Sequence, residues 1–185
     1  MSDEGRAGED RVAELARAFD RAFAEPARTA ADGAEALENL LALRAGTDDC
    51  VVRLAEVRGL LARPTIVALP GPVPELLGLA SLRGALVPVY HLAALQGQVT
   101  PDAAPAWMIL VEADGLVGLA FEELLGYARL DRREIAALPR TGDGTHPEVS
   151  RTARVGDALR PLIDVPALVA GLRQRVGAVG LHRQE

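Results

Sequence analysis

The sequence contains no lysine; all twenty of its basic residues are arginine. That excludes a phosphate-binding loop lysine, a Schiff-base lysine and a lysine general base. A single cysteine, Cys50, leaves no internal disulfide and makes a thiolate metal site implausible. Such sparing use of cysteine fits a reducing cytoplasm. Aromatic residues are 3% of a chain that is 49% hydrophobic, so the core must be aliphatic. No apolar run approaches the ~20 residues of a membrane span. The acidic start, MSDEGRAGED, lacks the apolar centre of a secretory signal. The expectation is a cytoplasmic protein with no direct membrane insertion.

Positive charge is also scarce where a nucleic-acid binder would need it. The net charge of −6 is uneven. Residues 1–39 hold ten acids against five arginines, and the remainder is nearly neutral. A near-neutral body offers no basic face for a phosphate backbone, so no nucleic-acid partner is expected.

What is present is a dense series of short apolar runs. With 185 residues the chain permits one domain plus an extension. Over residues 10–23 the apolar positions Val12, Leu15, Ala16, Phe19, Ala22 and Phe23 form the stripe of an amphipathic helix, stopped by Pro26. Residues 40–45 and 50–52 read as a hairpin around a turn at 46–49. Residues 54–61 switch to a helical period through Leu54, Val57, Leu60 and Leu61. Strands are expected at 66–69, 86–90, 107–111, 116–121, 124–130, 149–155 and 159–164, with a hairpin turn at Asp114-Gly115. A short helix is expected over 131–138, and Pro166 suits the opening of a C-terminal helix. The organisation is therefore a helical extension over 1–38, a mainly β body over 39–176 and a flexible tail over 177–185. No long βαβ alternation supports a parallel nucleotide-binding sheet.

Catalytic patterns are missing from this body. No G-x-S-x-G elbow surrounds Ser81. Ser81, His91 and Asp164 can be written as a hydrolase triad, but nothing in the spacing brings them together. His146 and His182 lie in a loop and a tail, which hold a metal poorly, and no metal site is expected. Glu122 and Glu123 are adjacent, so on a strand they point to opposite faces and make no acid/base dyad. Neither a catalytic residue nor a cofactor is expected.

One stretch stands apart, LLGLASLRGALVPVYHLAAL, residues 76–95. Arg83 lies between an apolar segment and a β-branched strand, beside Gly84, which permits a tight turn. An arginine is rarely buried unless paired, so Arg83 is expected at the turn, displayed to a partner.

Residues 77–92 resemble the signature of the CheW-like family, L-G-x-x-N-L-R-G-x-x-x-P-V-x-D-L. Two positions differ: Ser81 stands where Asn is usual and His91 where Asp is usual. The surrounding features follow the family's order across roughly residues 40–176. These are RLAEVR at 53–58, VALP at 67–70, the Asp114-Gly115 hairpin and LRPLIDV at 159–165. Family members are scaffolds that couple bacterial chemoreceptors to the histidine kinase CheA.

The resemblance implies two intertwined five-stranded SH3-like β-barrels sharing a core. It implies a non-enzymatic adaptor whose partners are a chemoreceptor cytoplasmic tip and the regulatory domain of a CheA-type kinase. It places the contact arginine at Arg83, flanked by Ser81, Leu82 and Gly84, and groove positions at Val57, Leu61, Leu86 and Val87. It also implies that His91, standing in for an acid, forgoes a salt bridge near Arg83 and offers a pH-sensitive contact. Two other readings are a CheW-like regulatory module binding one dedicated partner through its N-terminal helix, and a small hydrolase using Ser81 and His91.

Overall fold

Strands that are apolar on both faces need a core on each side, and this chain supplies three. A computed structural model describes residues 37–70, 73–101, 103–137 and 149–172. The expected N-terminal helix and C-terminal tail lie outside these residues.

Among the described residues twelve strands follow one another: β1 (Leu37–Ala45), β2 (Asp48–Arg53), β3 (Gly59–Ala62), β4 (Ile66–Ala68), β5 (Leu76–Leu82), β6 (Ala85–His91), β7 (Trp107–Glu112), β8 (Leu116–Phe121), β9 (Glu123–Asp131), β10 (Ile135–Ala137), β11 (Val149–Val155) and β12 (Ala158–Ile163). They form two six-stranded sheets, ordered β10-β11-β12-β2-β1-β9 and β3-β7-β8-β6-β5-β4. Each sheet thus has six strands where five were expected; the three-residue edge strands β4 and β10 make up the difference. The second sheet is built wholly from the chain between β2 and β9.

Alternation along the strands sorts side chains between cores. In β1, Leu40 and Ala42 face a small cluster inside the first sheet, while Leu41, Leu43 and Ala45 face a large shared cluster. In β7, Met108 and Leu110 fill the second sheet's own cluster, while Ile109 and Val111 join the shared one. Each sheet therefore curls over a private core, and the two press their outer faces together. The shared core also receives Leu168, Val169 and Leu172 from a helix over residues 165–172.

The two sheets repeat one plan. Each has a central parallel pair, β12 with β2 and β6 with β8, flanked on both sides by an antiparallel hairpin and an outer strand. The strands β6 and β12 occupy equivalent places. Their sequences agree: ALVPVYHL over 85–92 and ALRPLIDV over 158–165, each running into a helix.

Two expected helices are single turns followed by strands. Residues Leu54–Glu56 make one 3-10 turn, after which Gly59–Ala62 pairs with β7. Asp131 caps a 3-10 turn over Arg132–Glu134 in a reciprocal capping box, and Ile135–Ala137 then pairs with β11. In both places sheet pairing outcompetes a helix too short to propagate.

A charged chain ties the first sheet's open end. Arg53 donates Nε to Glu38 at 3.0 Å and an Nη to Glu56 at 3.1 Å, and Arg132 reaches Glu38 at 3.1 Å. The Val165 amide donates to the other Glu56 oxygen at 3.2 Å. Burial pushes the Glu56 carboxyl above its ordinary range, while the Val165 amide and Arg53 pull it back. No helix among the described residues is long and apolar enough to cross a membrane.

Candidate docking surface

The β5–β6 hairpin closes on a two-residue turn. Arg83 has φ 49° and Gly84 φ 85°, both left-handed, and Leu82 opposes Ala85 across it. This is the type I′ geometry that matches the twist of the flanking strands. Glycine adopts it freely, but an arginine pays about 1–2 kcal/mol for it. Arg63, at φ 48°, is held the same way. Arg83 is exposed and makes no ion pair or side-chain hydrogen bond among the described residues.

Strand register decides what surrounds the tip. Val67 of β4 opposes Leu79 of β5, which opposes Pro88 of β6, and Ser81 opposes Leu86. These five residues share one face, and it is open: Val67 is 66% exposed and Leu86 70%. The opposite face carries Ile66, Ala80, Leu82 and Val87 into the second sheet's private core. The candidate surface is therefore an aliphatic shelf formed by β4, β5 and β6, with a guanidinium at its end.

Gly78 makes this shelf possible. At φ 149° it sits in a bulge of β5, where a Cβ would lie 2.0 Å from the Val67 carbonyl oxygen. Only glycine lets β4 approach so closely.

The residues expected at a contact surface do not all gather there. Arg83, Ser81, Gly84 and Leu86 lie on or beside the shelf and are exposed. Leu82 is half-buried and turned inward. Leu61 is on β3, at the far end of the sheet order, packed against the private core. Val57 and Val87 are each 1% exposed and belong to cores, so neither offers a partner any area. His91 is buried as well: it is 3% exposed, and its Nε2 lies 3.0 Å from Glu122 Oε1.

Val67 and Leu79 escaped the sequence reading, because alternation alone does not say which face of a two-sided apolar strand meets water. The triad reading fails on distance. Ser81 pairs with Leu86, and His91 lies five residues further along β6, about 17 Å away. Asp164 caps the helix of the other sheet, accepting from the Ala167 amide at 3.0 Å.

Comparison with known proteins agrees with this architecture. A family model described as a CheW-like domain matches residues 39–173. Among solved structures, the scaffolding protein TtCheW from Thermoanaerobacter tengcongensis superposes with a TM-score of 0.62 at 18% identity, covering 69% of this chain and 89% of that one. No curated protein matches. With the domain match spanning most of its length, the chain belongs to the CheW-like family.

Proposed function

We propose that this protein is a non-enzymatic, cytoplasmic adaptor coupling methyl-accepting chemoreceptors to a CheA-type histidine kinase in bacterial chemotaxis, and that it docks through the β5–β6 hairpin. Membership of the CheW-like family and the likeness to a protein described as a scaffold support the adaptor role. The observation that carries the docking site is the exposed Arg83 beside the aliphatic shelf of Val67, Leu79 and Leu86. Arginine is enriched among interface anchors, and beside an aliphatic patch that a partner would cover its planar guanidinium adds orientation to the desolvation of the patch.

The test is calorimetric binding of the kinase regulatory domain and of a receptor cytoplasmic fragment to the wild-type chain, Arg83→Glu and Leu86→Asp. Reversal at an anchor should cost on the order of 2 kcal/mol, about a thirtyfold loss of affinity for at least one partner. Thermal melting of both variants should stay near wild type, because neither side chain is buried. Undiminished binding of both partners by both variants would remove the hairpin from the interface.

A further inference from the structure

The buried side chains at the junction of the two sheets have no part in that docking surface. Glu122 links β8 to β9, and its side chain is 17% exposed. One carboxylate oxygen accepts a short hydrogen bond from the backbone N–H of Gly46, in the β1–β2 turn of the first sheet. The other lies 3.0 Å from Nε2 of His91, the last residue of β6 in the second sheet. That contact is a close approach without hydrogen-bond geometry: Nε2, Nδ1 and Glu122 Oε1 are buried with no hydrogen-bond partner among the described residues. Arg44 does not neutralise Glu122; its guanidinium is engaged by Asp49 at 2.9 Å and Glu123 at 2.7 Å.

The repeated plan of the two sheets supplies a control within the molecule. His91 and Asp164 occupy equivalent ends of β6 and β12, and each precedes a helix. Asp164 caps its helix, whereas the His91 side chain makes no capping bond to the Leu92–Leu95 turn and lies against Glu122 instead. The His91 backbone is pinned separately, its N–H donating to the Glu75 carbonyl at 2.9 Å.

We propose that Glu122 is a clamp fixing the two sheets to each other, with Gly46 at one end and His91 at the other, and that position 91 carries histidine because it serves this clamp in place of a helix cap. Residues 91 and 122 are then a matched pair. An acid at 91 regains the cap but meets the Glu122 carboxylate in a buried site, where like charges repel strongly. The clamp belongs to the chain alone and does not depend on which partners dock.

A double-mutant cycle tests it, using His91→Asp, Glu122→Gln and the double variant in urea titrations, with the Gly46 amide followed by NMR. His91→Asp alone should be the least stable, and adding Glu122→Gln should recover about tenfold in the unfolding constant. Glu122→Gln should move the Gly46 amide proton upfield, because a charge-assisted bond becomes a neutral one. If His91→Asp leaves no folded chain, the cycle is run with His91→Asn. There the two single losses should overlap, so the double variant costs at least about fivefold less than their product. Additive effects, or a Gly46 amide unmoved by Glu122→Gln, would overturn the clamp.

Discussion

Leu86 and Val87 are neighbours in sequence and both aliphatic, yet the β5–β6 register gives them opposite work. Leu86 opposes Ser81 and stands 70% exposed; Val87 opposes Ala80 and is 1% exposed. Val87→Ala removes two buried methyl groups, about 1.6 kcal/mol at ~0.8 kcal/mol each. The cavity left among Ala80, Val89 and Met108 adds to this, for a total of about 2–3 kcal/mol. Leu86→Ala removes more atoms but takes them from water, and should change stability by less than about 0.5 kcal/mol.

Urea unfolding followed by circular dichroism separates the two. With a slope of about 2 kcal/mol/M, Val87→Ala should lower the midpoint by about 1 M and Leu86→Ala by less than about 0.3 M. Partner affinity should show the reverse order, with Leu86→Ala the weaker binder. Equal stability losses, or the opposite order, would mean that β6 is paired one residue out of register. A one-residue slip exchanges every side chain between the faces.

Glycine substitutions at the two ends of the same hairpin should also diverge. Gly78→Ala drives a Cβ into backbone at Val67 and Ala68, and should cost about 3 kcal/mol with loss of hydrogen-exchange protection in β4. Gly84→Ala meets nothing within 4 Å and should cost only about 1 kcal/mol, for its φ of 85°; equal costs would count against the bulge at Gly78. Burial, reinforced by Asp49 and Asp48, pushes the Cys50 thiol up to about 12 from an ordinary 9.0. A thiol reagent at pH 8 should therefore modify the native chain about a thousandfold more slowly than the unfolded one. A raised folded value means that this stabilisation is complete below about pH 9 and is lost as pH climbs towards 12. Cys50→Ala should flatten the alkaline limb of the stability profile, and an unchanged limb would deny Cys50 that role.

The sequence made the strands legible wherever a local signal bounded them. Asp114-Gly115 and Arg83-Gly84 mark turns; the runs flanking the first pair as expected, while the run before the second, read only as an apolar segment, is the seven-residue strand β5. It misled at residues 54–61 and 131–138, where a short helix was expected and the structure has a single 3-10 turn that the adjacent sheet then interrupts. In the structure a capping box at Asp131 starts the second of these turns, and its reach is one turn, because β11 offers Ile135–Ala137 a better use of their backbone groups. Arg83 was legible as a displayed residue because a lone arginine in an apolar stretch has few other places to go. Val57 and Val87 were not legible as core. Val87 sits in a run apolar on both faces, where only the partner strand tells which face is closed; Val57 lies between Glu56 and Arg58 just after a 3-10 turn, where the helical spacing gave no view of the sheet it packs under.

That same two-sidedness explains why the shelf is bare. Along the outward face of β6, Tyr90 is 9% exposed in the shared core, Pro88 is half-buried and Leu86 is 70% exposed. The face does not change chemistry along its length; it runs out of cover. The shared core takes in Leu76 at the start of β5 and Tyr90 opposite it on β6, and β4, the rest of β5 and the first half of β6 lie beyond that cluster. A strand patterned for burial on both sides then presents an aliphatic surface with no need of any added motif. At its end lies a turn whose left-handed geometry glycine would satisfy at lower cost than arginine. The overhang explains the apolar patch by itself but leaves that choice of residue without a folding reason. The guanidinium is therefore the part of this surface that folding leaves unexplained, and it is where the Arg83→Glu binding test bears most directly.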